Sequence, residues 1–220
     1  MTPIAGPSGR FTSTIVRVVA CVALWLAATA VARADDFDFY VLSLSWSPSY
    51  CAAEGSRADQ SECSRPFGFI VHGLWPQYER GYPESCQTSA RPPDPIVAFR
   101  MSDIMPGRGL VRHEWQKHGT CSGLSGNAYF DLVRKAREAI RIPGAYARPG
   151  KGLQVSPQAV ESAFVTTNSG LPRDAIAVTC SGSLLREVRI CMTRDLKFRP
   201  CAEVDRNSCR KPLVTMPAVD

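Results

Sequence analysis

The stretch HEWQKHGTC places two histidines, a glutamate and a lysine within six positions. On a helix that turns about 100° per residue, His113, Glu114, Lys117 and His118 fall within an arc of about 140°. Trp115 lies outside that arc and is free to anchor the helix in the core. One helix face therefore presents two imidazoles, a carboxylate and an ammonium group.

This cluster is compatible with a zinc site, a proton-transfer site or a solvated helix face. A zinc protease helix carries H-E-x-x-H, whereas His113 and His118 are five positions apart and their side chains diverge by about 140°. Lys117 would also repel a metal cation. Imidazoles exchange protons near neutral pH, and a lysine can neutralise an anionic transition state. The cluster therefore favours metal-free cleavage of a phosphodiester.

The remaining histidine of the three in the chain, His72, lies in FIVHGLWP, near the end of a predicted strand. Gly73, which follows His72, permits a sharp backbone turn or the close approach of a ligand. Trp75 offers a flat surface on which a base can stack, although a lone strand histidine is usually structural and a tryptophan usually belongs to the core. Because all three histidines lie in two short motifs, we expect them to share one site.

The chain has 220 residues, which is enough for one domain with its own core. Its net charge is +6, and 45% of its residues are hydrophobic, as is typical of a globular protein. Residues 1–34 hold three of the 26 basic residues and none of the 20 acidic ones. The remaining excess of positive charge is small, and alone it does not indicate a nucleic-acid-binding protein.

Residues 1–34 are predicted to be a cleaved secretory signal peptide. Two arginines precede an apolar run at residues 18–32, and the run closes on the small-residue site A-R-A. The run is shorter than the about 20 apolar residues that a membrane span needs. We therefore expect a secreted or periplasmic protein whose mature domain covers residues 35–220.

Eight cysteines remain after the predicted cleavage, which removes Cys21. An even number in an exported chain predicts disulfides, and eight cysteines allow about 105 pairings that the spacing does not resolve. The chain has no C-x-x-C motif, so a structural zinc site is not expected.

Hydrophobic patterning predicts strands at both ends of the mature chain and helices between them. The predicted strands cover residues 38–47, 67–75, 175–181, 184–193 and 195–202. The predicted helices cover residues 96–104, 109–118, 127–140 and 157–168, with Asn127 and Ser156 as caps of the last two. Residues 52–65 and 77–95 are predicted loops. This order indicates a single α+β domain, in which helices flank a central antiparallel sheet and disulfides stabilise the fold.

The segments FIVHGLWP and HEWQKHGTC resemble the two active-site segments of the ribonuclease T2 family of secreted endoribonucleases. The resemblance extends to LSLSWSPSYC and to the C-terminal strands that carry cysteines, so it covers most of the chain after residue 35. Every catalytic position of the family pattern is present. The resemblance implies cleavage of single-stranded RNA with broad base specificity, without metal or cofactor. The expected product is a 2′,3′-cyclic phosphate that can be hydrolysed to a 3′-phosphate.

The resemblance also implies roles for five residues. His118 would be the general base that accepts the proton of the 2′-hydroxyl, and His72 would protonate the leaving 5′-oxygen, although the two labels can be exchanged. Glu114 and Lys117 would stabilise the pentacovalent phosphorane. His113 would help to hold the phosphate.

The base site and the disulfides follow from the same resemblance. Trp75 would support the base site or shape the pocket. The implied disulfides are Cys51–Cys63, Cys86–Cys121, Cys180–Cys209 and Cys191–Cys201. The substrate would be single-stranded RNA but not DNA, and the mature protein would be a monomer without membrane attachment.

Three other functions remain open at this point. The chain could be an exported RNA-binding or toxin-like protein, a metal-dependent hydrolase that uses the same histidines, or a catalytically silent disulfide-rich domain. The intact catalytic positions favour the ribonuclease over these alternatives.

Overall fold

The computed structural model describes Met1, Thr2 and residues 36–219. Residues 36–219 belong to one compact unit. The predicted signal peptide lies outside the described residues, apart from its first two positions. Within the described part of the chain, no helix is both long and apolar enough to cross a membrane.

The centre of the fold is a six-stranded sheet, and β5 pairs with β1, β4 and β6. All strand pairs are antiparallel except β5 and β6, which run parallel and meet at one residue pair. The strands are β1 Phe39–Trp46, β2 Phe69–Gln77, β3 Leu153–Val155, β4 Ile176–Ser181, β5 Leu184–Met192 and β6 Val214–Met216. The sheet is therefore almost wholly antiparallel, and the predicted α+β class is confirmed.

The helices pack around this sheet. They are α1 Ser47–Glu54, α2 Gln60–Cys63, α3 Ile96–Arg100, α4 Leu110–Lys117, α5 Gly126–Glu138, α6 Gly144–Ala147, α7 Pro157–Thr167 and α8 Ala202–Arg206. Along the chain, α1 and α2 lie between β1 and β2, α3 to α7 lie between β2 and β4, and α8 follows β5. Short 3-10 turns cover Gly55–Arg57, Gly119–Cys121 and Arg173–Ala175.

The predicted secondary structure is wrong for two segments. Residues 52–65 are not a loop: they contain the end of α1, a 3-10 turn and α2, and Asp59 caps α2 by accepting a hydrogen bond from the Ser61 amide at 2.8 Å. Residues 195–202 are not a strand, because Leu196 turns the chain with a φ of 61°. Its link to β5 consists of an isolated bridge at Phe198, a hydrogen bond from the Arg199 amide to the Cys191 carbonyl at 3.2 Å and the Cys191–Cys201 disulfide.

The N-terminal cap of α5 also differs from the prediction. Ser125, not Asn127, accepts a hydrogen bond from the Ala128 amide at 3.4 Å. The Asn127 side chain instead exchanges two hydrogen bonds with Asp94, at 2.9 and 2.7 Å. Asn127 therefore ties the long loop after β2 to the start of α5, whereas Ser156 caps α7 as predicted.

The two faces of the sheet have different roles. Alternate residues of β1, including Leu42, Leu44 and Trp46, belong to the main core with residues of α5 and α7. The other face of β1 carries Phe39 and Val41 in a smaller apolar cluster, followed by Ser43 and Ser45. These small side chains leave room on that face of the sheet, and the candidate site lies there.

Candidate active site

Helix α4 positions the residues of the HEWQKHGTC segment. It begins after Gly109, whose φ of 85° is readily adopted only by glycine. Trp115 belongs to the main core, as the sequence predicts. Glu114 is only 1% exposed and His118, just after the helix, is 6% exposed. The helix therefore turns its carboxylate and one imidazole inward.

The other two polar groups of this segment lie farther out. His113 is exposed and lines a cleft of about 580 Å³ that His72 also lines. The Lys117 side chain is 39% exposed, and its Nζ lies 3.7 Å from Glu84 Oε2. The four groups thus surround one end of α4, with two buried and two facing solvent.

His72 lies at an irregularity of β2. Ser43 on β1 pairs with Gly73, but the next residue, Leu44, pairs with Val71. His72 is therefore the extra residue of a β-bulge, a feature that redirects a side chain. Its Nδ1 lies 2.8 Å from Oε1 of Glu187, and its Nε2 lies 3.7 Å from Oε1 of Glu114.

Trp75, a residue of the FIVHGLWP segment, joins this segment to the HEWQKHGTC helix. Its Nε1 donates a hydrogen bond of 2.8 Å to Glu114 Oε2. Its ring centroid lies 5.4 Å from that of His72 and 5.2 Å from that of His118. The indole thus packs beside both imidazoles and holds the Glu114 carboxylate by a hydrogen bond.

Gly73 is required by a close approach within the protein. A Cβ at this position would lie 1.9 Å from Glu114 Oε2 and 2.4 Å from Trp75 Nε1. Sequence reasoning attributed this glycine to a turn or to the approach of a ligand. The structure shows that the approaching groups are the indole and the carboxylate.

The imidazoles of His72 and His118 have opposite protonation tendencies. Burial, followed by the positive charges of Lys117 and the other histidines, lowers the pKa of His118 to about 3. Burial would also lower the pKa of His72, but the hydrogen bond to Glu187 and the negative charges of Glu114 and Glu187 raise it above its ordinary value. His118 is therefore a neutral imidazole at moderate pH, and His72 retains its proton more readily.

Glu114 shows the effect of burial on a carboxyl group. Burial raises its pKa to about 7, against the opposing effects of the His72 charge and the Trp75 hydrogen bond. Near neutral pH this carboxyl can thus carry a proton and act as a hydrogen-bond donor. Within the described residues, His118 Nδ1 and Glu114 Oε1 are buried without a hydrogen-bond partner.

Glu187 and Arg189 of β5 belong to the site, and sequence reasoning missed both. Glu187 is 1% exposed, and Arg189 donates to its Oε2 from Nε at 3.0 Å and from Nη2 at 2.7 Å. The Arg189 guanidinium also lies 5.1 Å from the centroid of the Trp75 ring. The only sequence signal for them was that Glu187 and Arg189 carry opposite charges at alternate positions of LLREVRICMT. This pattern places both side chains on one face of a strand, but it does not indicate which strands lie beside it.

Charges of both signs line the cleft beside His72, and its carboxyl groups are those of Glu54, Asp59, Glu62 and Glu187. Arg108, Arg112 and Arg186 line it together with His72 and His113. Trp75 and His118 are not among its lining residues, so the cleft opens on the His72 side of the site. No three His, Cys, Asp or Glu side chains in the described part of the chain form a group that could hold a metal ion.

The disulfides connect the site to the rest of the fold. The structure contains the four pairs that the resemblance implies: Cys51–Cys63, Cys86–Cys121, Cys180–Cys209 and Cys191–Cys201. The Cys86–Cys121 bridge attaches the loop after β2 to the 3-10 turn that follows α4. In the same place the Ser85 amide donates to the Lys117 carbonyl at 2.7 Å. The loop carrying Glu84 is therefore fixed against the end of α4.

Comparison with known proteins identifies the family of this fold and site. A profile of the ribonuclease T2 family matches residues 37–201, which is more than half of the chain. The chain therefore belongs to the ribonuclease T2 family. Its fold is similar to that of ribonuclease MC1 from the seeds of bitter gourd, with 25% identity, a TM-score of 0.60 and coverage of 74% of this chain and 92% of that one.

Two curated bacterial relatives are similar in sequence. A ribonuclease from Aeromonas hydrophila is 45% identical over 125 residues, which is 56% of each chain. Ribonuclease I from Escherichia coli is 29% identical over 205 residues, which is 73% of this chain and 76% of that one. The chain spans about half the length of the first curated relatives that it matches.

Proposed function

We propose that this protein is an endoribonuclease that cleaves single-stranded RNA by metal-independent transesterification. The observation that carries this proposal is the pair of imidazoles beside Trp75, with ring centroids 5.4 and 5.2 Å from that of the indole and with opposite protonation tendencies. The names of the relatives support it, because both bacterial proteins are ribonucleases. A variant of ribonuclease MC1 that is 26% identical to this chain has been solved with 5′-UMP.

The protonation tendencies support one assignment of the two histidines. A neutral imidazole is required to accept the proton of the 2′-hydroxyl, and burial keeps His118 neutral. A protonated imidazole is required to donate to the leaving 5′-oxygen, and the carboxylate partners of His72 favour that form. The 2′-oxygen then forms its bond to phosphorus as the 5′-oxygen leaves, and the product is a 2′,3′-cyclic phosphate. In hydrolysis to the 3′-phosphate the two roles are exchanged.

The remaining residues would stabilise the charge that develops on phosphorus. Lys117 would supply positive charge, and a protonated Glu114 would donate a hydrogen bond to a phosphoryl oxygen without repelling it. His113, exposed at the cleft, would hold the phosphate of the bound strand. Trp75 would keep Glu114 and both imidazoles in position while it shapes the base site.

One assay tests this function against the alternatives. The purified protein is incubated with single-stranded RNA and with the matching DNA, each with and without EDTA, from about pH 4 to pH 8, where histidines titrate. Cleavage of RNA alone, unaffected by EDTA, is expected because only RNA has the 2′-hydroxyl. Loss of activity in EDTA would favour a metal-dependent hydrolase, and absence of cleavage would favour a binding protein or a silent domain.

Single substitutions test the residue roles. His72→Ala and His118→Ala should each lose nearly all turnover, whereas His113→Ala should chiefly weaken substrate binding. A fully active His118→Ala protein would contradict the mechanism. Broad base specificity is expected, and comparable rates on homopolymers of the four bases would support it.

We also propose that residues 1–34 are removed on export and that residues 35–220 act as a secreted or periplasmic monomer. The four disulfides support an oxidising compartment. Mass spectrometry of the mature protein should give an N-terminus at Asp35, and light scattering should give the mass of one chain.

A further inference from the structure

Glu187 is a buried carboxylate with two different partners on its two oxygens. Oε1 lies 2.8 Å from His72 Nδ1, and Oε2 accepts two hydrogen bonds from Arg189. With 1% exposure it has no access to bulk water. A buried charge is tolerated when it is paired and hydrogen-bonded, and both conditions hold here.

The sheet brings Glu187 and His72 together across an intervening strand. β1 lies between β2 and β5, and Ser45 of β1 pairs with Glu187. Strands two positions apart are separated by about 10 Å, so two side chains meet only over a small residue. Ser43 and Ser45 provide that space, and the bulge at His72 redirects the imidazole.

We propose that Glu187 is a positioning residue that binds His72 through Nδ1–H and thereby presents Nε2–H to the leaving oxygen of the substrate. This role rests on the proposed function, in which His72 is the general acid. The tautomer and orientation of an imidazole are set by the hydrogen bond of its other nitrogen. With Nδ1 occupied by Glu187, Nε2 is the atom that remains to face the reacting phosphate.

Arg189 completes this arrangement by holding the carboxylate. Its two donors occupy Oε2 of Glu187, so His72 is the hydrogen-bond partner of Oε1, and Arg186 Nε lies 3.8 Å from the same oxygen. Burial would raise the pKa of Glu187, but the hydrogen bond from His72 and the Arg189 charge lower it to about 2. Glu187 is thus ionised wherever the enzyme would act, and its negative charge favours the protonated form of His72.

The other charges around His72 do not replace that effect. Glu114 also favours the protonated form, but burial raises its own pKa to about 7, so it is only partly ionised near neutrality. Arg186 acts in the opposite direction. The charged and titratable groups that face His72 are Arg186, Glu187 and Arg189 on β5, His113 and Glu114 on α4, His118 directly after α4, and Glu62 on α2.

The first test compares two substrates that differ in their need for a general acid. A dinucleoside phosphate has a poor alkoxide leaving group, whereas uridine 3′-(4-nitrophenyl phosphate) has one that leaves without protonation. General acid–base catalysis contributes about 10²- to 10⁴-fold, so Glu187→Gln should lose about 10- to 100-fold on the dinucleotide. It should lose far less on the nitrophenyl ester. Equal losses on both substrates would overturn the proposal and leave Glu187 with a purely structural role.

The second test measures the protonation of His72 directly. The chain has only three histidines, so NMR of the imidazole nitrogens can resolve each one. In the wild-type protein, Nδ1 of His72 should remain protonated. In Glu187→Gln, its pKa should fall, and the alkaline limb of the pH–rate profile should move to lower pH by the same amount. An unchanged His72 pKa in the folded variant would also overturn the proposal.

Two further variants complete the experiment. Glu187→Asp keeps the charge on a shorter side chain, so it should retain part of the elevated His72 pKa, and it remains informative if Glu187→Gln fails to fold. Glu161→Gln is the matched control: Glu161 is a half-buried glutamate that accepts a hydrogen bond from the Val178 amide at 2.8 Å. It should leave both readouts unchanged. If the wild-type protein cleaves neither substrate, the proposed function fails, and the NMR measurement still tests the coupling of Glu187 to His72.

Discussion

Gly73→Ala tests whether the site depends on the contact between Trp75 and Glu114. The added Cβ would lie 1.9 Å from Glu114 Oε2 and 2.4 Å from Trp75 Nε1. These two atoms form the 2.8 Å hydrogen bond that joins β2 to α4. Gly73 is not among the glycines with positive φ, so the substitution acts through this steric contact and not through backbone strain.

The structure sets the size of the effect. Ordinary contact begins near 3.4 Å, so the carboxylate must retreat by about 1.5 Å. Loss of a buried hydrogen bond to a charged group costs about 1.5–3 kcal/mol, and we expect the free energy of unfolding to fall by about that amount. A misplacement of about 1 Å in a catalytic constellation can cost about 10²-fold. We therefore expect kcat/KM on RNA to fall by about 10²-fold.

The assay pairs RNA cleavage with urea denaturation. Gly144→Ala is the matched control, because a Cβ at Gly144 would meet no atom within 4 Å. It should leave both activity and stability close to those of the wild-type protein. A folded Gly73→Ala protein with wild-type kcat/KM would refute the argument, since it would show that Glu114 can leave Trp75 without consequence.

Two other predictions follow from the disulfides and from burial. The double serine variant of Cys86 and Cys121 should lose more activity than that of Cys51 and Cys63, because the first bridge holds the end of α4, although each bridge contributes about 2–4 kcal/mol to stability. Equal activity losses would contradict this reasoning. In the folded protein His118 has a pKa of about 3 instead of 6.5. The unfolded chain therefore binds a proton at His118 more readily, and the free energy of unfolding, highest above pH 6.5, should fall by up to about 5 kcal/mol as the pH falls towards 3. Urea titrations should show a smaller decline over that range for His118→Asn, and an equal decline would show that this imidazole does not stay neutral.

The secondary structure of the two histidine motifs was predictable because the strand and the helix that carry them have strong local sequence patterns. The apolar run around FIVHGLWP predicts β2, and the pattern around HEWQKHGTC predicts a helix that agrees with α4 to within one residue at each end. The helix arc also indicated that Glu114 and His118 share a side of α4. It could not indicate that these two groups are buried while His113 and Lys117 face solvent, because that depends on where β2 packs.

Other features depend on contacts between distant segments. The three-residue strands β3 and β6 are too short for a periodic pattern, and residues 195–202 combine strand-forming residues with a left-handed turn. Cysteine spacing alone did not determine the disulfide pairing, which was predicted only from the family resemblance. The bulge at His72 is a property of the pairing between β1 and β2, so the sequence of β2 alone does not reveal it.

The contrast between the two imidazoles shows why Glu187 matters to the chemistry. Burial pushes both towards the neutral form, so burial alone would leave the site with two bases and no acid. Only His72 has a fully ionised carboxylate within hydrogen-bond distance, and that carboxylate comes from β5. In the proposed mechanism, the assignment of acid and base to the two histidines would therefore be determined outside both histidine motifs. If His72 is the proton donor as proposed, a substitution in β5 would remove that donor while both motifs remain intact.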